Sequence, residues 1–458
     1  MSHGEGQSFS LEVPVVLPHE NVYQIQVGYK LFKLSGVSLS SDSPSYFTDY
    51  FARKEAERRE RGGNLSSDVQ DILFIDRSPE VFELIYNHLQ GYCINVKDEY
   101  QYTMLFVDSM YYNLPRLRHL LKNSDYYFAC IGGKSYKIPK NLLSGPGNSP
   151  NYFDITVDAL YAGLEKVCLS CKPIRPPPQS PPYVARSPAL FEDLMALLNG
   201  VELTLDEGKR VSLIKECRFY RLWALEQRLL KHKIKYDPYY KRDLIVMLLG
   251  DLCSKGVGLT NKEKQSLDMV ESKICEDYRR EESSCKKQRL ACDWAIFTYA
   301  RPYLDQYPRD LIFEIDGMDC VVYFNKRKKT IHVHIRGLSA RQFINVFSEV
   351  LKPANINIEK YRDAMNLDGI LIPCCVSVSD LSINGVKYTN ICSIIDENNV
   401  TDKIPDFTLG HGTVPGLKLV LMKSMWRLAT KDGGLLLVCI RGDGITGINE
   451  FHHNIEYL

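Results

Sequence analysis

The sequence predicts an α+β protein made of two tandem α/β domains, a helical linker and a C-terminal β-rich α+β domain. Two observations lead to this organisation. Residues of the first half recur at offsets of 104 to 109 positions, as Gly28 does at Gly132 and Phe82 at Phe191. From about residue 310 onward, short runs of strand-forming residues bounded by turn residues replace the helical patterns. A length of 458 residues fits roughly three domains.

Composition and charge exclude several classes of protein. Hydrophobic residues make up 45% of the chain and charged residues 25%, which are ordinary globular values. A net charge of +1 gives no basic field, so neither a nucleic-acid nor a membrane partner is expected. Residues 1–20 lack a secretory signal and are predicted to be disordered. The 14 scattered cysteines are expected to be reduced thiols, which favours a cytoplasmic location and leaves nuclear entry open.

An internal duplication organises residues 21–235. At an offset of 104 positions the matching pairs include Gly28 and Gly132, Lys30 and Lys134, Phe32 and Tyr136, and Leu39 and Leu143. At an offset of 109 they include Arg77 and Arg186, Pro79 and Pro188, Phe82 and Phe191, and Gly91 and Gly200. Solenoid repeats recur every ~20–50 residues, so this longer period indicates duplication of a whole domain. We predict a first domain over residues 21–123 and a second over residues 124–235.

Each copy has the same predicted layout. Two strands joined at a glycine precede a variable loop, a third strand and a helix that Ser78 caps, Pro79 opens and Gly91 ends. Two more helices follow. The predicted elements are strands Tyr23–Val27, Leu31–Leu34, Asp71–Ile75, Phe128–Ile131 and Ser135–Ile138, and helices Tyr100–Tyr112 and Leu114–Lys122.

The variable loops differ in chemistry. The first, residues 52–70, contains the charge run Arg53–Arg61 and is predicted to be a solvated, partly helical loop. The second, residues 172–183, contains the proline-rich run Pro173–Pro182 and is predicted to be an extended spacer. Contact of the charge run with an acidic partner, and use of the proline run as a polyproline ligand, stay open as alternatives.

These motifs carry a family resemblance. The run Phe74–Pro79 and the hairpin Ile131–Tyr136 resemble the potassium-channel tetramerisation (KCTD-like) branch of the BTB/POZ family, and the pairing of copies is similar to fungal BTB/POZ proteins. Ser78 and Ser187 replace the family's aspartate before proline, and the zinc-binding cluster of the channel branch has no counterpart. The residues that carry the fold motif are Gly28, Phe32, Asp76, Arg77, Pro79, Phe82, Gly91, Gly132, Tyr136, Arg186, Pro188, Phe191 and Gly200.

The resemblance implies a small sheet clasped by helical hairpins, with exposed faces that bind further copies or partner proteins. It also implies tetramers or pentamers in some members and recruitment of cullin-type ubiquitin ligases in others. Two such domains in one chain can instead pack against each other and cover the oligomer face internally.

The second half is predicted in two parts. Residues 236–300 are predicted to be a helical, charged linker, with Asp243–Leu252 buried and Asn261–Leu290 solvated. Residues 301–458 are predicted to be an α+β domain of unknown family. Its predicted elements are strands Leu311–Ile315, Cys320–Phe324, Thr330–Ile335, Cys374–Val378, Leu417–Met422 and Leu435–Ile440, and the amphipathic helix Ser339–Leu351.

Two nucleotide-binding motifs are incomplete. Gly442–Gly447 contains G-x-G-x-x-G, but the few residues that follow cannot supply the helix, strand and acid of a dinucleotide site, so a glycine-rich turn is predicted. Gly133-Lys134-Ser135 lacks the leading glycine of a phosphate-binding loop, because Phe128 occupies that position. A β-hairpin is predicted there instead. No cofactor is expected.

The candidate metal and localisation motifs have simpler explanations. Cys168 and Cys171 lack a second cysteine pair, and His332 with His334 would need His452 or His453, so no metal site is predicted. The basic run Asn325–Lys329 is predicted to be a solvated hairpin tip, and the basic residues between Arg279 and Arg289 leave nuclear import open. No catalytic motif is present, so no catalytic residue is nominated.

The functional prediction is a non-enzymatic scaffold or adaptor. Its BTB-like copies would bind protein partners, including further copies of the chain, and its C-terminal domain would supply a second specificity. Three alternatives remain open: a substrate adaptor of a cullin ubiquitin ligase, an enzyme housed in residues 301–458, and a nuclear regulatory protein.

Overall fold

The structure is a computed structural model that describes residues 12–60, 72–170, 181–238, 241–260, 294–325, 327–363, 368–377, 379–388, 391, 408–409 and 417–453. The chain divides into two compact units, Met1–Glu226 and Gln227–Leu458. The N-terminal unit contains two modules that are described first, and the C-terminal unit is described after them.

The first module, residues 22–122, is a small sheet covered on one face by helices. Its central strand pairs antiparallel with the second strand and parallel with the third, and alternate residues such as Ile25 and Val27 are fully buried. The sheet order is β2-β1-β3. The elements are β1 (Val22–Val27), β2 (Lys30–Ser35), α1 (Gly36–Ser40), α2 (Tyr46–Glu60), β3 (Ile72–Ile75), α3 (Pro79–Leu89), α4 (Glu99–Tyr111) and α5 (Pro115–Lys122).

The second module, residues 126–229, repeats this order of elements. Its sheet order is β5-β4-β6, with the same antiparallel and parallel pairings. The register also agrees, because Val27 faces Ile75 in the first sheet and Ile131 faces Val184 in the second. The elements are β4 (Tyr126–Ile131), β5 (Lys134–Pro139), α6 (Lys140–Leu143), α7 (Tyr152–Ser170), β6 (Tyr183–Val184), α8 (Pro188–Leu198), α9 (Glu207–Tyr220) and α10 (Trp223–Leu229).

Local signals explain the start of α3 and α8. The Ser78 hydroxyl accepts a hydrogen bond from the Val81 amide at 3.3 Å, and the Ser187 hydroxyl accepts one from the Leu190 amide at 3.4 Å. Proline at the first helical position needs no amide partner. The predicted capping of this helix is confirmed in both modules.

In the predicted first loop, residues 52–70, the described part is helical, which agrees with the prediction of a partly helical loop. Residues 52–60 continue α2, where Lys54 pairs with Glu57 at 3.1 Å and Arg59 with Glu55 at 3.7 Å at helical spacing. Residues 61–70 and residues 173–180 of the proline-rich run lie outside the described residues, so the prediction of an extended spacer is not tested there.

The C-terminal unit is a strongly paired β structure with a central helix. Pairings of β11 with β12, β12 with β13, β13 with β18, β18 with β17 and β17 with β11 close a ring of strands. The elements are β7 (His232–Asp237), β8 (Arg242–Leu248), β9 (Val257–Leu259), β10 (Ala295–Tyr299), β11 (Arg309–Asn325), β12 (Thr330–Ile335), α11 (Gly337–Leu351), β13 (Ile370–Cys375), β14 (Asp380–Ile383), β15 (Val386–Tyr388), β16 (Thr408–Leu409), β17 (Leu417–Lys431), β18 (Gly434–Ile445) and α12 (Ile448–His453).

The core of this unit joins helix α11 to the sheet. Phe343 and Phe347 are fully buried on the helix, and their rings lie 6.0 and 5.6 Å from that of Phe313 on β11. The predicted helix Ser339–Leu351 and strand Thr330–Ile335 are confirmed.

Two predictions for the second half are wrong. The described residues between 236 and 260 form strands and short 3-10 turns instead of a helical linker, because β8 pairs with β7 and with β11 in the sheet. A short apolar run does not by itself distinguish a strand from a helix. The two predicted strands at 311–315 and 320–324 are one strand, β11, with an irregularity between Asp316 and Cys320. Residues 261–290 lie outside the described residues.

The glycine motif at 442–447 lies largely in strand β18, which corrects the predicted glycine-rich turn. A side chain on Gly442 would meet the Leu381 side chain at 2.8 Å, and one on Gly444 would meet Leu419 at 2.7 Å. The glycines therefore allow close packing of neighbouring strands.

Candidate protein-interaction surfaces

Each module has an arginine that pairs with a carboxylate on the following long helix. Arg77 pairs with the buried carboxylate of Asp108, and its guanidinium lies 4.8 Å from the Tyr111 ring centre. Arg186 pairs with Glu216 at 3.4 Å. Burial raises the pKa of the Asp108 carboxyl, and the charge of Arg77 partly opposes this change. The motif arginine therefore joins the end of the sheet to the helices.

The hairpin glycines lie against the same motif. Gly28 and Gly132 both have positive φ, at 54° and 56°. A side chain on Gly132 would approach the Arg186 carbonyl oxygen to 2.4 Å, and one on Gly28 would approach that of Arg77 to 3.1 Å. Only glycine combines this backbone conformation with so close an approach.

The remaining motif residues include core aromatic rings, prolines that begin helices and glycines that follow them. Phe32 packs edge-on against Phe82 with ring centres 4.8 Å apart, and Tyr136 packs likewise against Phe191 at 5.1 Å. Pro79 and Pro188 open their helices, and Asp76 is exposed beside Arg77. Gly91 and Gly200 follow the same helices with positive φ. Apart from Asp76, these residues pack in a core, begin a helix or fit a turn within their own module.

Helix α4 of the first module packs on part of the outer face of the second sheet, the face that points away from the second core, and Tyr183 on the same face stays 62% exposed. The rings of Tyr102 on α4 and Phe128 on β4 stack with centres 4.9 Å apart and planes inclined by 21°. Both are buried, and Phe128 belongs to the hydrophobic cluster of the first module. The contact therefore joins the two modules through apolar surface.

Polar groups surround this stacked pair. The Ser135 hydroxyl on β5 donates to the Glu99 carboxylate on α4 at 3.0 Å. Lys137 donates to the side chain of Asn95 at 3.1 Å, and its ammonium lies 5.8 Å from the centre of the Phe128 ring. The polar groups at the edge of this contact are thus paired in hydrogen bonds.

The matching outer face of the first sheet is open. Leu31, Ile72 and Phe74 point away from the core and are 44%, 49% and 61% exposed. Ile72 and Phe74 share strand β3, and Leu31 lies on the other side of β1, where Gln26 faces both Leu31 and Phe74. Exposed apolar side chains on one sheet face are typical of protein-binding surfaces.

A groove of about 870 Å³ forms a second accessible surface of the N-terminal unit. Exposed Tyr92 and Leu120 lie along it, and His88, Arg116 and Lys137 supply basic groups. Its polar and apolar lining fits a surface groove for protein contact better than an enclosed ligand cavity.

The structure tests some of the candidate metal and basic motifs. Among the described residues no group of three or more histidine, cysteine or acidic side chains is placed to hold a metal ion. The pair Cys168 and Cys171 is not tested, since neither side chain is described. The turn after Asn325 joins β11 to β12, which confirms the predicted hairpin. In the part of the chain that the structure describes, no helix could cross a membrane.

His334 gives the C-terminal unit an expected pH dependence. Its Nε2 atom lies 3.4 Å from the Asp363 carboxylate, and burial lowers its pKa although that carboxylate opposes the change. The unfolded chain binds the proton near pH 6.5, so stability is present above that pH and decreases as the pH falls. We expect His334→Gln to flatten the decrease between pH 7 and pH 5.

Urea unfolding followed by tryptophan fluorescence at both pH values measures this effect. The matched control is His453→Gln, since His453 is exposed and should leave the pH dependence unchanged. A variant His334→Gln with the slope of the parent protein would contradict the assignment.

Comparison with known proteins identifies the family. Residues 23–120 match the BTB/POZ domain, and residues 242–455 match a domain described as the YLR108C C-terminal domain. The chain is 36% identical to the BTB/POZ domain-containing protein YLR108C of Saccharomyces cerevisiae, over 97% of this chain and 96% of that protein. The chain belongs to the BTB/POZ family. This BTB/POZ protein is also 43% identical to the uncharacterized protein YDR132C of the same yeast, over 98% and 97% of the two chains. No solved structure matches it.

The family resemblance seen in the first copy is confirmed by these matches, and BTB/POZ domains generally act as protein-interaction modules. The contact between Tyr102 and Phe128 was missed by sequence reasoning. One signal was available: Phe128 occupies an outward strand position where the first copy has the polar Gln24. An aromatic residue where the other copy has a polar one indicates a position that contacts another element.

Proposed function

We propose that this BTB/POZ protein is a non-enzymatic adaptor or scaffold. In this proposal residues 21–123 and 124–235 are two BTB/POZ-like domains, and the C-terminal unit supplies a second binding specificity. The shared order of elements supports the tandem arrangement, as do the equivalent pairs of Arg77 with Asp108 and Arg186 with Glu216. We also propose a cytoplasmic location, which imaging of a fluorescent fusion tests.

The observation that carries the adaptor proposal is the open outer face of the first sheet. Helix α4 packs on part of the matching face of the second sheet, through the stacked rings of Tyr102 and Phe128, so this kind of surface does bind a protein element within the chain. Phe74 on this face is 61% exposed. When another protein covers the face, the free energy of the complex is lowered by about 25 cal/mol per Å² of apolar surface removed from water.

Affinity purification of the full chain with quantitative mass spectrometry, together with light scattering, tests the proposal. We expect a protein partner in near-stoichiometric amount, or a particle whose mass is a multiple of the chain mass. A cullin among the retained proteins would specify a ubiquitin-ligase substrate adaptor. A monomer that retains no protein would contradict the adaptor function.

A further inference from the structure

Strand β7 (His232–Asp237) lies at an edge of the sheet in the C-terminal unit. Among the described residues it pairs only with β8, which in turn pairs with β11. The backbone amides and carbonyls along its other edge therefore face no strand in the part of the chain that the structure describes. Such an edge can accept an added strand, because the backbone of any extended segment can bond to it.

One side of β7 continues a buried row of apolar residues but is itself uncovered. Ile234 lies opposite Ile245 on β8, which lies opposite Leu311 on β11. Ile245 and Leu311 are 0% and 1% exposed, whereas Ile234 is 41% exposed. Tyr236, on the same side of β7, is 61% exposed. Since opposed residues point to the same side of a sheet, one further strand with apolar residues on this side would extend the row.

The opposite side of β7 carries two unpaired cations. Lys233 and Lys235 alternate with Ile234 and Tyr236, so they point to the other side of the sheet. Both are exposed, and neither forms a hydrogen bond or ion pair with a described residue. Like charges opposite each other destabilise a strand pair, and opposite charges stabilise it. The two lysines therefore oppose pairing of β7 with the β7 strand of a second copy, and they favour an acidic strand.

We propose that the free edge of β7 binds an extended segment of a partner protein in which acidic and apolar side chains alternate. This inference rests on the proposed adaptor function and names the chemistry of the partner that the C-terminal unit binds. The apolar side chains of the segment pack beside Ile234 and Tyr236. Its carboxylates pair with Lys233 and Lys235, while its backbone bonds to the edge of β7.

A synthetic peptide tests the alternation. The probe is a fluorescent peptide of about seven residues in which glutamate and valine alternate, and its anisotropy is measured with the full-length protein. The control peptide has the same composition, with its glutamates and valines in two blocks. We expect saturable binding of the alternating peptide and at least about tenfold weaker binding of the control, since only alternation places the two residue types on opposite sides of a strand.

Two methylated probes separate strand addition from simple charge attraction. In an added strand, the amides of alternate residues point towards β7 and the others point away. Methylation of the first set of amide nitrogens should weaken binding at least about tenfold, and methylation of the second set should leave it within about threefold. Equal losses with both probes, or no loss with either, would overturn the proposal.

Reversal of the two lysine charges tests the acidic side of the segment. Lys233→Glu combined with Lys235→Glu should weaken binding of the alternating peptide at least about tenfold, because glutamate then opposes glutamate. The matched control is Lys328→Glu combined with Lys329→Glu, the same charge change on exposed lysines at the turn between β11 and β12. It should leave binding within about twofold. Thermal unfolding checks that both variants fold. Absence of saturable binding to the parent protein, or equal losses in both variants, would contradict the proposal.

A photoreactive amino acid at position 236 identifies the natural occupant in cells. Mass spectrometry should map the adduct to a partner segment in which acidic and apolar residues alternate. An adduct on a second copy, on another part of this chain or on a segment without that alternation would overturn the proposal, as would the absence of an adduct. If the protein with Lys233→Glu and Lys235→Glu retains every partner, the docking edge is wrong while the adaptor function stands.

Discussion

Replacing Arg77 with methionine is expected to lower the free energy of unfolding of the N-terminal unit by about 3–5 kcal/mol, because the change leaves a buried charge unpaired. The Asp108 side chain is only 4% exposed, and Arg77 is its ion-pair partner. Equilibrium urea unfolding, monitored by circular dichroism, measures the loss. A change below about 0.5 kcal/mol, the range of ordinary surface substitutions, would contradict the structural role of the pair.

The stability loss caused by Arg77→Met should grow as the pH rises. Burial already raises the pKa of Asp108 while Arg77 lowers it, so removal of Arg77 raises that pKa further in the folded state. The folded variant then binds a proton that the unfolded chain releases near pH 4, and stability decreases as the pH rises through the folded-state pKa. We expect Arg77→Met to be more stable at pH 5 than at pH 8.

Two further variants control this experiment. Asp108→Asn combined with Arg77→Met removes both charges and should recover part of the stability. Arg186→Met in the second module should cost less, because the Arg186 side chain is 38% exposed and its pair with Glu216 is longer, at 3.4 Å.

Replacing Tyr102 with alanine is expected to cost about 3–5 kcal/mol, the usual range for loss of a buried aromatic side chain. Tyr102 is buried between the modules, stacks on Phe128 and donates a hydrogen bond to the Leu121 carbonyl at 2.9 Å. Urea unfolding measures the total. Hydrogen exchange should show faster exchange of β4 and β5 amides, since the cover of the second sheet is loosened.

A double-mutant cycle separates two contributions to the stability loss of Tyr102→Ala: the contact between the modules, and packing within the core of the first module. Tyr102→Ala and Phe128→Ala should be coupled by about 0.5–1.5 kcal/mol, the range for an aromatic pair. The matched control is Val211→Ala on α9, which is exposed and should change stability by less than about 0.5 kcal/mol. Additive effects of the two aromatic substitutions would show that the stacked rings do not join the modules.

Most of the N-terminal unit could be predicted because its signals are local. Ser78 caps α3, Pro79 opens it and Gly91 follows it, all within one helix. Gly28 adopts the positive φ that the hairpin needs. Each of these signals acts over a few residues, so the pattern along the chain is sufficient to find it.

Other features depend on residues that are distant along the chain. The start of α5 is capped by Asp42, whose carboxylate accepts from the Arg116 and Leu117 amides at 2.7 and 3.0 Å and also pairs with His88. The apolar run of β8 is predicted to be helical, and only its pairing with β7 and β11 shows that it is a strand. No local pattern reports such contacts.

The sequence by itself determined the BTB/POZ motif, the predicted duplication at 104 to 109 positions and, in the first module, the three strands and the helices α3 to α5, but not α1 or the start of α2 at Tyr46. These features can be found from the sequence because the burial of side chains within one helix or strand repeats at a fixed spacing along the chain, and helix ends carry capping residues. The tertiary structure alone decided where helix α4 packs on the second sheet. Phe128 is 6% exposed because the Tyr102 ring of α4 stacks on it, whereas Phe74 and Tyr183, at equivalent positions of the two sheets, are 61% and 62% exposed.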